Sequence, residues 1–177
     1  MREFDPKLWR DRAWERFKRA HVRGVPKRRL EPNWARDVVM IRNLDRIVEW
    51  CRVRGIRVVF VKEVGAVYYP EEKVVRLSHK LRLDKQVAYL LHECGHHLIG
   101  LKEDDERFGA GYPQTEDHVK RTFLHRATCL EEEFEAWHRG WKLGKRLGIF
   151  YERAAYDKIR LECIKSYIRW TLRKGDA

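Results

Sequence analysis

The stretch YLLHECGHHLI, residues 89–99, decides the fold. Apolar residues flank its His-Glu-x-x-His pattern on both sides, which predicts a largely buried helix over about residues 85–99. Residues four apart share one helix face, so His92 and His96 can direct ring nitrogens at one ion. Imidazole nitrogen suits zinc, and a catalytic zinc keeps one coordination position open for water. The pattern therefore predicts a zinc site on this helix.

Glu93 is the candidate catalytic residue. It follows His92 directly, so its side chain is expected beside the metal site rather than on it. A carboxylate there can take a proton from a water that the metal activates and later deliver it to a leaving amine. Gly95 has no side chain, which allows another element to pack closely against the motif. The expected chemistry is hydrolysis of a peptide bond.

A third protein ligand is expected from another helix. Residues 131–137 read EEEFEAW, with four carboxylates in five positions. Glu133 is the preferred ligand, because the residues one helical turn away from it are apolar and indicate an inward face. Glu132 shares its side with more polar residues. The alternatives that remain open for the third ligand are Glu132, His118 and His125.

Further residues are candidates for supporting roles. His97 lies four positions after Glu93 and is expected on the same side of the helix, where it can orient Glu93 or contact substrate. A hydrolase of this kind also needs a donor to the developing oxyanion. Tyr112, His118, His125 and His138 are all candidates for that role, and Tyr112, in a glycine-bearing segment, is the one to test first.

The remaining periodicity predicts an α+β domain. Two prolines over residues 24–33 indicate a turn that separates a basic helical arm, residues 1–34, from a domain spanning 35–177. The three short strands are expected to form a small antiparallel sheet. The predicted elements are a helix over 35–54, strands over 56–64, 66–69 and 73–77, the motif helix capped by Asp84, a loop over 101–117, and helices over about 118–147 and 151–173.

The charge is concentrated at the two ends. The chain carries 39 basic and 27 acidic side chains, a net charge of +12. Residues 1–30 hold 11 basic and four acidic groups, and residues 140–177 hold ten and four. Trp9 and Trp14 are interleaved with arginines in a predicted helix over 7–23, a pattern that suits phosphate contacts and base stacking, or packing of the tryptophans on the domain. The basic termini make nucleic acid a candidate partner.

Composition also bears on the compartment. No run of about 18 apolar residues is present, which argues against a transmembrane helix. The first residues, MREFDP, lack the apolar core of a signal peptide. Four cysteines are far apart and form no CxxC pair, which favours free thiols in a reducing compartment. We therefore expect a cytoplasmic protein with no membrane partner.

The motif and the downstream glutamate together resemble a known group of enzymes. His92-Glu93-Cys94-Gly95-His96, followed by Glu133-Phe134-Glu135-Ala136, is similar to gluzincin-type zinc metallopeptidases, and the preceding strand and hairpin resemble the ImmA/IrrE-like family. The resemblance covers roughly residues 40–148. It implies a zincin-like fold, zinc bound by His92, His96 and Glu133, Glu93 as the catalytic base, and a protein or peptide substrate. Two features depart from that family: a long interval before Glu133, and Trp137 at a position often acidic.

Two other interpretations accompany this one. SprT-like proteases also use HExxH, but their third ligand is a histidine, for which His118 or His125 is available. Those enzymes act on DNA-bound proteins, which the basic ends would suit. The second is a non-catalytic module that keeps zinc structurally and binds nucleic acid or another protein. Replacement of Glu93 by Gln separates catalysis from binding.

Overall fold

Seven elements make up the part of the chain that the computed structural model describes, residues 31–63, 65–100 and 122–172. Within it the fold is α+β, with four helices and one three-stranded sheet, as the sequence predicts. The predictions for the arm before residue 31, for Tyr112 and His118, and for the loop over 101–117 lie outside these residues. In chain order the elements are α1 (Glu31–Val53), β1 (Arg57–Val61), β2 (Ala66–Tyr69), β3 (Val74–Ser78), α2 (Leu83–Gly100), α3 (Phe123–Arg146) and α4 (Arg153–Thr171).

The sheet is mixed, so the prediction of an antiparallel sheet is wrong. The strand order is β1-β3-β2, in which β2 and β3 form the expected antiparallel hairpin but β1 pairs with β3 in parallel. The link from β1 to β2 crosses the end of β3, where the Ser78 N–H donates to the Gly65 carbonyl at 2.9 Å. Gly65 has a φ of +103°, which glycine adopts without strain. This crossing places β1 beside β3 rather than beside β2.

Two helix starts differ from the sequence expectation. Helix α1 begins at Glu31, so residues 31–33 of the predicted turn are helical. Pro32 is compatible with this because the first helical turn needs no N–H donor. Helix α2 begins at Leu83, so Asp84 lies in its first turn rather than at the cap. Its carboxylate pairs there with Arg82 and Arg36, and a negative charge at this end favours the helix.

The motif helix α2 is the centre of the fold. It packs against α1, α3, α4, β2 and β3, and most of its side chains are buried. Apolar residues from every neighbour fill the core around it, including the fully buried Ile47, Leu77, Leu90, Leu91, Trp137, Leu143 and Tyr156. None of the described helices is both long and apolar enough to cross a membrane.

Helices α2 and α3 cross in backbone contact at two glycines. A Cβ placed on Gly95 would lie 2.0 Å from the Ala136 carbonyl oxygen, and one on Gly140 would lie 2.4 Å from the Leu91 carbonyl oxygen. Each helix therefore has a glycine at the point where the backbone of the other helix comes closest. The close packing expected at Gly95 is confirmed. This crossing sets the separation of the two helices at the point where both carry polar residues.

Candidate metal centre

Three residues from the two crossing helices bring their ligand atoms together. His92 and His96 of α2 and Glu133 of α3 each offer one atom, and these atoms lie within 4.8 Å of one another. His92 Nε2 is 3.0 Å from Glu133 Oε2, and His96 Nε2 is 3.4 Å from Glu133 Oε1. The group can hold a metal ion, and it consists of the three residues that the sequence selects.

Two facing atoms of this group lie close together without satisfying the geometry of a hydrogen bond. His92 Nε2 and Glu133 Oε2 are buried and make no hydrogen bond, although they are 3.0 Å apart. Buried polar atoms without partners are rare in folded proteins, since each costs free energy. Zinc ligands at 2.0–2.1 Å in a tetrahedron lie about 3.3 Å apart, and each Glu133 oxygen lies near that distance from the Nε2 of one histidine. Two imidazole nitrogens and one carboxylate oxygen are a donor set that zinc accepts.

The short distances within the group shift the pKa values of Glu133 and His96. Burial raises the pKa of the Glu133 carboxyl, but the adjacent imidazoles of His92 and His96 lower it more, and the net pKa is well below its usual range. Burial lowers the pKa of His96, whereas its contacts with Glu132 and Glu133 raise it, to about 10. The two imidazoles therefore favour the ionised form of the Glu133 carboxyl, which is the form that binds a metal.

The other ring nitrogen of each histidine meets a second glutamate. Glu132 Oε1 lies 3.1 Å from His96 Nδ1 and accepts its hydrogen bond, because a carboxylate cannot donate. Glu93 Oε1 lies 3.3 Å from His92 Nδ1. A protonated Nδ1 leaves Nε2 as the atom with a free lone pair. These carboxylates therefore favour the histidine tautomer that binds metal through Nε2.

Trp137 packs against the face of the His92 ring. The two rings are stacked, with centroids 4.3 Å apart and planes 16° from parallel. Trp137 is fully buried, and its own carbonyl accepts a hydrogen bond from the Tyr156 hydroxyl of α4 at 2.9 Å. Trp137, which stands at a position that is often acidic in the family the sequence resembles, thus stacks on the ring of a metal-ligand candidate.

Glu93 is buried beside the group but is not a member of it. Its carboxylate faces Nδ1 of His92, on the side of the ring away from the unpaired Nε2. The carboxylate of Glu93 therefore meets the ring of His92 rather than the atoms that His92, His96 and Glu133 bring together.

The sequence suggested that Glu132 lies on a polar side of α3 that faces solvent, and the structure contradicts this. It is buried, because its side of α3 contains Ala136, which packs against Gly95. The signal in the sequence was the pair of small residues Gly95 and Ala136, which allows two helices to approach on that side. Both Glu132 and Glu133 consequently face α2.

Two histidines with proposed roles lie in other environments. His125 is buried against Cys129, with Nε2 3.5 Å from Sγ, and its ring meets Trp170 edge-on; it is not part of the metal group. His97 Nδ1 lies 2.8 Å from the Tyr68 hydroxyl of β2, and its ring meets Trp50 and Tyr68 edge-on. These contacts favour a packing role for His97 over the alternative in which it orients Glu93. Burial and the nearby charges of Lys73 and Arg54 lower the pKa of His97.

All four cysteines are free thiols, as the sequence predicts. Cys94, inside the motif, lies against Cys51 of α1 with 3.4 Å between the sulfur atoms. Burial is the main cause that raises the pKa of Cys94 well above its usual value. Cys94 is therefore a neutral core residue on the side of α2 away from the metal group.

Comparison with protein-family models, with curated proteins and with solved structures found no match for this chain.

Proposed function

We propose that this protein is a zinc-dependent metallopeptidase with a zincin-like domain of gluzincin type. The observation that carries the proposal is the convergence of His92, His96 and Glu133 from two crossing helices, where the buried His92 Nε2 and Glu133 Oε2 make no hydrogen bond. Two histidines four residues apart, a glutamate after the first of them, and a carboxylate ligand from a later helix are typical of this class of hydrolase.

In this proposal His92, His96 and Glu133 would hold the zinc through their imidazole nitrogens and a carboxylate oxygen. When bound, the ion would supply a Lewis acid that polarises a peptide carbonyl and activates water. His96 has a more exposed side chain than His92, 14% against 9%, so substrate is expected to approach from the His96 side.

Glu93 moves the protons in this proposal. Its carboxylate accepts the proton of the attacking water and passes it to the nitrogen of the departing amine. This role requires the carboxylate to turn from His92 Nδ1 toward the open side of the metal group. Such a turn would change the side-chain torsions of Glu93, which adopt discrete rotamers.

A non-catalytic zinc module is the second candidate. The specific observation in its favour is the contact between Glu93 and His92 Nδ1, in which Glu93 orients a ligand instead of handling protons. In this version the basic ends bind an acidic partner such as nucleic acid. The SprT-like version, which needs a histidine ligand, is not favoured for His125 because that ring packs against Cys129 and Trp170.

Glu93→Gln tests the two candidates against each other. The zinc-loaded protein and the variant are incubated with a library of unstructured peptides, and new termini are counted by mass spectrometry. The peptidase proposal expects cleavage by the wild type, a loss of about 100-fold or more in the variant, and unchanged zinc content. Glu131→Gln, an exposed position on α3, is the matched control and should cleave normally. Equal cleavage by Glu93→Gln and wild type would show that the peptidase proposal is wrong.

A further inference from the structure

Glu132 is a buried carboxylate whose single described partner is a metal-ligand candidate. Its Oε1 accepts the hydrogen bond of His96 Nδ1, and its Oε2 is buried with no hydrogen-bond partner among the described residues. Lys and Arg side chains offer it no ion pair within those residues. Burial of a carboxylate with one hydrogen bond is unfavourable for folding. The burial of Glu132 against His96 therefore needs an explanation other than stability.

Adjacent residues of α3 contact the two nitrogens of one ring. Glu133 Oε1 lies 3.4 Å from His96 Nε2, and Glu132 Oε1 lies 3.1 Å from Nδ1. Successive helical side chains diverge by about 100°, so neighbouring glutamates can reach opposite edges of the same imidazole. The ring is thus held between two carboxylates of one helix.

The two histidines differ in what else restrains them. Trp137 stacks on the ring of His92, whereas the ring of His96 is more exposed and meets His92 edge-on. The hydrogen bond to Glu132 places the proton of His96 on Nδ1 and turns Nδ1 toward α3. It thereby leaves Nε2 as the nitrogen that can face the metal group.

We propose that Glu132 is a positioning residue for the metal site: it holds His96 in the orientation and tautomer that direct Nε2 at the ion. The inference rests on the proposed function only through the metal site, not through catalysis. It separates the roles of two neighbouring glutamates that the sequence alone left as alternatives for one ligand position.

Zinc affinity is the first test. The dissociation constant is measured by competition with a zinc-binding chromophore for wild type, Glu132→Ala, Glu132→Gln, Glu133→Ala and Glu131→Ala. Removal of such an outer-shell partner typically weakens metal binding by about 10- to 100-fold. We expect that loss for Glu132→Ala, a smaller loss for Glu132→Gln because its amide oxygen still accepts a hydrogen bond, and no change for the exposed Glu131→Ala. Glu133→Ala should lose far more affinity than either.

Cobalt distinguishes a positioning role from ligation. The visible absorption of Co²⁺ bound to Glu132→Ala at saturating metal should keep the tetrahedral bands of the wild type, since all three ligands remain. Loss of these bands in Glu132→Ala, as in Glu133→Ala, would show that Glu132 is itself a ligand and would overturn the proposal. Wild-type affinity in Glu132→Ala beside a large loss in Glu133→Ala would also overturn it, and would leave the metal site standing.

An NMR measurement on Glu132→Gln tests the proposal even if Glu132→Ala does not fold. In zinc-loaded wild type the His96 Nδ1 proton should be observed by NMR as a hydrogen-bonded ring N–H. It should shift in Glu132→Gln and stay unchanged in Glu131→Gln. An identical His96 resonance in Glu132→Gln would contradict the proposal. Failure of the wild type to bind zinc or cobalt at all would instead reject the metal site on which the proposal rests.

Discussion

The two sides of helix α2 are built on different principles. On the side of α1 and the sheet, apolar side chains and neutral groups separate the elements: Cys94 meets Cys51, and His97 meets Tyr68 and Trp50. On the side of α3, the helices touch through backbone atoms at Gly95 and Gly140, with charged ligand candidates next to the contact. The first side can adjust by repacking side chains, whereas at Gly95 and Gly140 no side chain lies between the two backbones.

This difference matters because the metal group spans the second side. The distances from Glu133 to His92 and His96 are set by how closely α3 approaches α2. A change at the glycine crossing therefore alters stability and metal binding together. A change in the apolar side is expected to alter stability while leaving the ligand atoms in place.

The largest loss of stability and of zinc affinity is expected from Gly95→Ala. The new Cβ would lie 2.0 Å from the Ala136 carbonyl oxygen and 2.7 Å from its carbonyl carbon, so the two backbones must separate. We expect a loss of more than about 3 kcal/mol in the free energy of unfolding, because the clash is with backbone and not with a flexible side chain. Zinc affinity should fall as Glu133 moves away from the histidines. Urea unfolding and zinc competition measure the two effects.

Gly100→Ala is the matched control, since it lies in the same helix and a Cβ there would meet nothing within 4 Å. Alanine favours helix over glycine by roughly 0.5–1 kcal/mol, so this variant should be as stable as wild type or slightly more stable. If Gly95→Ala behaves like Gly100→Ala in both measurements, the close crossing does not position the metal group.

Leu77→Ala, on the apolar side of α2, is expected to lower stability by less than Gly95→Ala and to leave zinc affinity unchanged. Leu77 of the central strand β3 is fully buried in the core. Loss of its side chain should cost about 2–3 kcal/mol of unfolding free energy, toward the lower end for core leucines because the sheet side can repack. The folded variant should still bind one zinc with wild-type affinity. Affinity that falls as far as in Gly95→Ala would remove the distinction between the two sides of α2.

Much of the candidate site could be predicted from short-range patterns. The spacing of His92 and His96 fixes a shared helix face whatever the surroundings, and the apolar residues one turn from Glu133 indicate its burial. Glu132 was misjudged because burial on that side depends on the approach of another helix. That approach is a property of Gly95 and Ala136 together, which lie 41 positions apart in the chain.

The sheet shows a similar limit. Each of the three strands was predicted near its observed position, because alternation and β-branched residues are local signals. The parallel pairing of β1 with β3 was not, since it depends on the crossing of the link at Gly65 and on the Ser78 hydrogen bond to it. Strand order is decided by contacts between residues distant in sequence, which a local pattern does not contain.

The metal content of the purified protein tests the central claim most directly. Wild type, His96→Ala and Glu133→Ala are reconstituted with zinc, dialysed and measured together by elemental mass spectrometry, with Glu131→Ala as the exposed control. We predict about one zinc per chain in wild type and Glu131→Ala, and loss of zinc in both ligand variants. Zinc retained in Glu133→Ala would contradict the assignment of the third ligand, and no zinc in the wild type would contradict the metal site itself.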